Sequence, residues 1–358
     1  MELTDTKFGY WPYKQDYKTA GDRRRFIFYA NEKNLQFETA SLAKQYDIVY
    51  LTVGCDIHQW IQYKKKYPST KIIFECIDSY SLEGFNLFSF LRGGVRFLKG
   101  RESKLYLNYK KALINMYRVA DAVVCSTPIQ KEYITRYNKN VHISLDYFEA
   151  DIAHTKKQYE TGKKLKLVWE GQSYTVNNLL AIKEVFRTLT DKVELHIITD
   201  SSIVFPFEIF NKKTSDIVSK IPCTVFFHPW KINDFSKHIT DADLAIIPIK
   251  NNDKLYWNKP ENKLLLLWQM GVPVLTSNTP AYSRVMNEAG IAGLCSSDND
   301  WITKIEEFIK MNETQREAQA FKATNFLATH HSKEIILQKW DKIFQSVSPQ
   351  PVSRALKV

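Results

Sequence analysis

The 358-residue chain lacks several features that would assign it to a familiar class of protein. No run of about 20 apolar residues occurs, so the sequence predicts no membrane-spanning helix. No apolar secretion segment opens the chain, and we therefore expect a cytoplasmic protein. No Gly-x-Gly-x-x-Gly follows a strand-like run, which disfavours a dinucleotide-dependent oxidoreductase.

Cysteine is also scarce, and its spacing is uninformative about ligands. The five cysteines form no Cys-x-x-Cys pair, which argues against a disulfide framework or a zinc site. Several lie in or beside strand-like runs, as buried reduced thiols do. They are Cys55, Cys76, Cys125, Cys223 and Cys295.

Positive charge is abundant, with 50 Lys and Arg against 39 Asp and Glu and a formal net charge of +11. A basic protein meets acidic partners such as nucleic acid, anionic lipid or phosphorylated substrates. We find no zinc-finger spacing and no aromatic RNA-binding motif, and we expect no nucleic-acid partner. A basic, non-enzymatic polyanion-binding protein remains an alternative.

Short apolar runs alternate with helical stretches in two blocks, which predicts two doubly wound α/β domains with parallel sheets. A polar stretch, Glu149 to Lys164, separates the blocks and is interpreted as a linker. We predict domains at 1–155 and 156–330, with a C-terminal helix, 331–358, packing back on the first domain. The predicted strands are Asp47–Val53, Lys71–Ile77, Ala122–Cys125, Val141–Leu145, Leu165–Trp169, Val193–Ile198, Thr224–Phe227, Leu244–Pro248 and Pro273–Leu275.

The second block carries three segments that resemble one enzyme class. They are Val168-Trp169-Glu170-Gly171-Gln172, then Phe227-His228-Pro229-Trp230 with Asp241 to Pro248, and Lys259-Pro260-Glu261-Asn262-Lys263-Leu264 running into Gly271-Val272-Pro273-Val274. They resemble the donor domain of GT-B glycosyltransferases, most closely family 4. The resemblance implies two Rossmann-like doubly wound domains facing a cleft, a nucleotide-sugar donor, and no cofactor or metal.

The resemblance suggests which residues would hold the donor. Gly171 and Ser173 follow a strand, where glycine lets the backbone approach a phosphate. Lys259, Asn262 and Lys263 lie at a helix start, where positive charge would neutralise the leaving phosphate. The alternative for both lysines is a solvated surface position.

The same resemblance assigns a nucleobase pocket to His228 and Trp230. Core packing of Trp230 and a satisfied histidine are the alternative interpretation. Two departures from the family pattern bear on the donor. Its two helix glutamates are replaced by Asn258 and Leu266, and its arginine after the first glycine loop is absent. The sequence therefore predicts a different donor or a ribose held by another group.

The first block suggests the acceptor side. Gly21, Asp22 and Arg24 form a glycine-plus-basic segment that the resemblance assigns to an acceptor or phosphate loop. Asp78, which follows a predicted strand, is the first candidate catalytic residue, and Asp56 and His58 are the alternatives. A carboxylate base would favour inversion of the anomeric centre, whereas family 4 retains it, so the stereochemistry stays open.

Residues Phe85 to Arg101 interleave phenylalanines with arginines and a lysine. Basic residues alternating with Phe and Leu are typical of an interfacial element on anionic lipid, here the inner face of the plasma membrane. A helix pair packed on the core is the alternative. Together these features predict a glycosyltransferase that acts on a glycan or lipid-linked acceptor in surface polysaccharide or glycolipid biosynthesis. A nucleotide-sugar epimerase of the same fold is the second enzyme hypothesis.

Overall fold

The computed structural model describes residues 6–80, 82, 87–203, 212–250 and 257–348, and of residues 87–92, 150 and 212 it describes the backbone alone. The chain divides by its contacts into two compact units. Unit 1 comprises Met1–Tyr147 with Lys333–Val358, and unit 2 comprises Phe148–Ser332.

Unit 1 is built on a six-stranded parallel sheet with the order β2-β1-β3-β4-β5-β6. Its strands are β1 (Phe8–Trp11), β2 (Glu38–Thr39), β3 (Ile48–Thr52), β4 (Lys71–Glu75), β5 (Ala122–Cys125) and β6 (Val141–Ile143). A π-helical turn, Asp22–Phe26, leads into α1 (Ile27–Glu32). The other helices before the second unit are α2 (Ile57–Lys66), α3 (Leu87–Leu98), α4 (Tyr109–Val119) and α5 (Pro128–Ile134).

Unit 2 contains a second six-stranded parallel sheet, ordered β11-β8-β7-β12-β13-β14. Its strands are β7 (Leu165–Glu170), β8 (Val193–Thr199), β11 (Thr224–Pro229), β12 (Leu244–Ile247), β13 (Val274–Ser277) and β14 (Leu294–Cys295), and a small antiparallel pair joins β9 (Ser202–Ile203) to β10 (Lys212–Lys213). Its described helices are α6 (Lys183–Thr188), α7 (Ser215–Val218), α8 (Phe235–Thr240), α9 (Asn262–Gln269), α10 (Pro280–Glu288), α11 (Asp298–Lys310) and α12 (Glu313–His330), with a 3₁₀ segment at Ser173–Ile182.

The predicted two-sheet α/β architecture is confirmed. The inner strands are largely apolar because helices cover both faces of each sheet; β5 and β12, for example, are buried at every residue. Sequence reasoning missed β1 and four strands of only two residues each, β2, β9, β10 and β14. Such runs are too brief to show a strand pattern.

The last helix, α13 (Lys333–Gln345), belongs to unit 1. Its apolar side is buried against the sheet, where the rings of Trp340 and Phe344 stack on Tyr29 at 5.6 and 4.9 Å. Lys33 and Asp341 form an ion pair of 2.9 Å at the edge of this contact. Stacked aromatic rings of this size bury large apolar areas, so they fix the helix on unit 1.

The polar stretch interpreted as a linker packs largely against unit 2. The Tyr159 hydroxyl donates to the Gly271 carbonyl at 2.9 Å, and Arg316 donates to the Tyr159 carbonyl at 3.1 Å. The Lys156 amine donates to the Ala242 carbonyl at 2.7 Å. Tyr159 and Lys156 thus tie the stretch to unit 2 through hydrogen bonds to backbone carbonyls. Among the described helices, none is long and apolar enough to cross a bilayer.

Candidate functional site

The sheet of unit 2 changes its direction of winding between β7 and β12. These two strands are neighbours, and the chain builds outward from β7 to β8 and β11 on one side and from β12 to β13 and β14 on the other. Open parallel sheets bind ligands beside the carboxyl ends of strands at such a switch point. The residues that follow β7 are therefore the first candidates for a ligand site.

Lys263 reaches this switch point from the first turn of α9. Its amine donates to the Glu170 carbonyl at the end of β7 and lies 3.9 Å from a Glu170 carboxylate oxygen. It also lies 5.1 Å from the centre of the Trp169 ring. Its side chain is 25% exposed, which leaves it accessible to a ligand. Burial lowers the pKa of Lys263, Glu170 opposes that shift, and Lys259 adds to it.

Gly171 is held against this amine. A Cβ atom built on Gly171 would lie 2.6 Å from the Lys263 amine and 2.9 Å from the Trp169 ring. Any side chain at this position would displace one of the two, so the close approach requires glycine. Ser173 is buried at the start of the 3₁₀ segment that follows. The structure thus brings three predicted donor residues, Gly171, Ser173 and Lys263, to one strand end.

Two further predicted residues lie near them. The Lys259 amine is 5.9 Å from the centre of the Tyr174 ring, just beyond Ser173, and Asn262 is the first residue of α9. Because Lys259 lowers the pKa of Lys263, the two amines share one electrostatic environment. A phosphate bound between them would relieve this repulsion.

Sequence reasoning missed Glu261, which precedes α9. Its side chain is 2% exposed and forms an ion pair with Arg284 of α10. Burial raises the pKa of the Glu261 carboxyl, and Arg284 opposes that shift. Its second carboxylate oxygen is buried without a hydrogen-bond partner among the described residues. The ion pair fixes the start of α9 on α10, which positions Lys263.

The predicted nucleobase residues lie on the outer side of the same sheet. His228 of β11 stacks between two imidazoles, 4.1 Å from His238 and 5.3 Å from His196, whose Nδ1 is 3.0 Å from its Nε2. Burial, followed by these two rings, lowers the pKa of His228. Trp230 stacks on Phe235 at 5.6 Å, and its amide donates to the Thr199 carbonyl at 3.1 Å. His228 and Trp230 thus lie at β11, and β8 separates this strand from β7, which Gly171 follows.

In unit 1 the winding changes between β1 and β3. Gly21 lies under the Tyr13 ring that follows β1, where a Cβ would come within 2.9 Å of ring carbons. The fully buried Asp22 accepts hydrogen bonds from the Tyr10 hydroxyl at 2.5 Å and the Tyr13 amide at 2.8 Å. Gly21 and Asp22 therefore shape the loop after β1, the position predicted for the acceptor or phosphate loop.

The basic run Arg23 to Arg25 contains a buried arginine, Arg25, whereas the sequence predicts Arg24 as the site residue. The Arg25 Nε donates to Glu75 of β4 at 2.6 Å, and its Nη1 contacts the Ser144 carbonyl at 3.0 Å and Asp146 at 3.1 Å. Arg25 and Glu75 have no solvent exposure. Burial raises the pKa of Glu75, and Arg25 opposes that shift. The half-buried Arg24 offers its carbonyl to the Tyr147 amide.

The candidate catalytic residues of unit 1 follow different strands. Asp78, beyond β4, is half-buried and accepts from the Tyr80 hydroxyl at 2.9 Å. Asp56 is the N-cap of α2, and its two carboxylate oxygens accept from the Gln59 and Ser103 amides at 3.0 and 2.7 Å. These bonds give Asp56 a structural role. His58 is half-buried in the first turn of the same helix.

Glu102, also fully buried at the side chain, accepts from the Ile57 amide at 3.0 Å and pairs with Arg96 at 3.0 Å. Burial raises the pKa of Glu102 to about 7, with Arg96 opposing and Asp56 reinforcing the shift. A carboxyl with a raised folded pKa stabilises the protein below its unfolded pKa of about 4.3, and that contribution is lost as the pH rises towards 7.

Replacing Glu102 with Gln should therefore flatten the pH dependence of stability. Between about pH 5 and pH 8 we expect wild type to lose roughly 2 kcal/mol more free energy of unfolding than Glu102→Gln. Denaturant titrations at each pH measure this difference. Glu38→Gln is the control, because Lys44 and Tyr46 lower the pKa of Glu38. Parallel pH profiles for wild type and Glu102→Gln would show that Glu102 does not contribute.

No group of three or more His, Cys, Asp or Glu in the described part of the chain is arranged to hold a metal ion. No protein-family model and no curated protein matches the sequence. The structure, by contrast, is similar to solved glycosyltransferase structures. The chain has the two-domain GT-B fold that these structures share.

Three similar structures illustrate the match. TarM is 14% identical with a TM-score of 0.59, and the alignment covers 83% of this chain and 54% of TarM. A mutant of S. aureus TarM in complex with fondaparinux, alpha-GlcNAc-glycerol and UDP is 14% identical with a TM-score of 0.57, covering 83% and 55%. A glycosyltransferase from Rickettsia africae ESF-5 is 10% identical with a TM-score of 0.57, covering 91% and 88%. The chain therefore spans about half the length of TarM.

Proposed function

We propose that this protein transfers a sugar from a nucleotide-sugar donor to a glycan or lipid-linked acceptor. The observation that carries the proposal is Lys263, whose side chain is 25% exposed at the start of α9 and whose amine lies beside Gly171 where β7 ends. A glycine beside an amine, a helix N-terminus and two lysines together suit a diphosphate.

In the proposed reaction the bond between the anomeric carbon and the donor phosphate breaks while an acceptor oxygen bonds to that carbon. The acceptor hydroxyl gives its proton to a base, for which Asp78 is the first candidate, and the nucleotide phosphate leaves with the bonding electrons. Lys263 and Lys259 would stabilise the charge that develops on the leaving phosphate. Asp78 is the proposed contact of the acceptor hydroxyl, and Gly21, Asp22 and Arg24 are the proposed acceptor or phosphate loop.

The similar structures support this proposal at the level of fold, and one of them suggests where to begin. The S. aureus TarM mutant was solved with UDP and alpha-GlcNAc-glycerol. A uridine nucleotide is accordingly the first donor to test here. His228 and Trp230 are the proposed base contacts. The proposed setting, surface polysaccharide or glycolipid biosynthesis at the inner face of the plasma membrane, rests on the sequence resemblance and on the basic and aromatic segment Phe85 to Arg101.

A nucleotide panel tests the proposal. We expect one of UDP, GDP, CMP, ADP and TDP to raise the thermal unfolding midpoint selectively. A nucleotide at about 100 times its dissociation constant adds about 2.7 kcal/mol of stability. A general polyanion such as heparin is the control. Absence of a response to every nucleotide would overturn the proposal, and equal stabilisation by heparin would favour a polyanion-binding protein.

A further inference from the structure

We propose that unit 1 docks on an anionic lipid bilayer through the C-terminal end of α3 and the connection that leads from it to α4. Four large apolar side chains lie exposed within this short stretch. Phe97 is 41% exposed, Leu98 83%, Leu105 48% and Leu107 61%. We call these four residues the apolar rim. Burying such a group from water in a lipid interface is favourable, since every apolar carbon removed from water contributes.

The connection that carries the apolar rim is fixed to the body of unit 1. Arg96 donates to the Cys55 carbonyl at 2.8 Å and pairs with Glu102, which in turn accepts from the Ile57 amide. The Ser103 amide donates to the Asp56 carboxylate at 2.7 Å. Both sets of contacts are made at the N-terminus of α2, so the exposed side chains lie on a segment whose conformation is fixed.

Gly93 allows the connection to pack closely against α3. A Cβ atom built on Gly93 of α3 would lie 1.9 Å from the Tyr106 carbonyl oxygen. The chain between Leu105 and Leu107 therefore folds directly onto the α3 backbone. The connection is held in this way while Leu105 and Leu107 remain exposed. A loop that is already ordered loses little conformational entropy on docking, so it binds more tightly than a flexible loop.

The charge of this region suits anionic lipid. Residues 95–119 contain seven Lys or Arg and a single acidic residue, Glu102, which is buried against Arg96. The basic residues are Arg96, Lys99, Arg101, Lys104, Lys110, Lys111 and Arg118. A surface that combines apolar side chains with an excess of positive charge is attracted to the headgroups and then inserts.

Tyrosines extend the same character onto the neighbouring helices. The Lys110 amine of α4 lies 4.8 Å from the Tyr133 ring of α5, and the Arg118 guanidinium lies 5.4 Å from the Tyr137 ring. These contacts place α4 and α5 side by side with basic groups over half-buried tyrosines. Tyrosine favours the boundary between apolar and polar layers, where its ring is buried and its hydroxyl is hydrated.

An anionic bilayer explains the rim and the charge together. A protein partner of acidic character would explain the charge, yet it would not require four exposed apolar groups on one basic connection. The proposal is independent of the sugar-transfer proposal, because its readout is lipid binding. Phe85 and Asn86, which begin the predicted membrane segment, lie outside the described residues, as do the side chains of residues 87–92.

Vesicle flotation tests the docking. We expect the full chain to float with vesicles of phosphatidylcholine mixed with phosphatidylglycerol, and to do so less at high salt. It should remain unbound with phosphatidylcholine alone. Leu98→Ser with Leu107→Ser should reduce the bound fraction at least about tenfold, since each buried apolar side chain contributes about a factor of ten or more. Leu105→Ser is a second, independent variant.

The matched control replaces exposed apolar residues of unit 2. Phe321 is 68% exposed and Ile232 41% exposed, and Phe321→Ser with Ile232→Ser should bind vesicles as wild type does. Unchanged thermal midpoints establish that every variant is folded. Three results would overturn the proposal: the wild type binds neither kind of vesicle, the rim variants bind vesicles as well as wild type does, or heparin completely displaces both wild type and rim variants from the vesicles.

Discussion

Replacing Arg25 with Met should lower the free energy of unfolding of unit 1 by about 3–5 kcal/mol. The guanidinium is fully buried between Glu75 and Asp146. Its removal leaves two carboxylates without the cation that compensates for their loss of hydration. Arg25 also donates to the Ser144 carbonyl after β6, so the substitution loosens the link between that segment and β4. Denaturant unfolding followed by circular dichroism measures the loss.

Two variants separate charge from packing. Arg25→Met with Glu75→Gln should recover about 1–2 kcal/mol, because one of the uncompensated carboxylates becomes neutral. Arg23→Met is the matched control from the same basic run. Its guanidinium bonds the Lys18 carbonyl at an exposed position, and we expect a change below about 1 kcal/mol. An Arg25→Met protein as stable as Arg23→Met would contradict the assignment.

Replacing Lys263 with Met should reduce the affinity for the selected nucleotide by about 30-fold to 150-fold. That range corresponds to the 2–3 kcal/mol that a charged hydrogen bond contributes at a desolvated site. Stability should change little, since burial already lowers the pKa of this amine and its loss removes a desolvation cost. Calorimetric titration of wild type and variant gives both affinities.

Gly171→Ala provides a second test of the same site. The added Cβ would lie 2.6 Å from the Lys263 amine, so the amine must move while its charge is retained. We expect an affinity between those of wild type and Lys263→Met. Lys237→Met, which removes an exposed lysine paired with Asp241 in α8, is the control and should bind the nucleotide normally. Unaltered affinity in both Lys263→Met and Gly171→Ala would remove this strand end from the proposed site.

The strand and helix pattern predicted the two sheets and the start of α9 because each depends on local sequence. Arg25 shows where local reasoning ends. Its partners Glu75 and Asp146 lie 50 and 121 residues away along the chain, and nothing in a basic run distinguishes a buried arginine from solvated ones. Glu261 was missed for a similar reason, since its partner Arg284 is 23 residues distant.

The candidate site was predictable in part. Gly171 and Lys263 are 92 positions apart, and only the resemblance linked them before the structure placed them in contact. Asp56 illustrates the opposite case. A carboxylate after a strand suggests chemistry, but the same position is also where a helix needs its N-cap, and Asp is among the preferred capping residues.

The central claim is tested most directly by following a nucleotide sugar, with the base that the panel selects, in the presence of simple glycan and lipid alcohols. We expect release of free nucleotide together with a new glycoside, and we expect Lys263→Met to release little. Conversion of the nucleotide sugar to its epimer while it is still attached to the nucleotide would contradict sugar transfer, as would equal turnover by wild type and Lys263→Met.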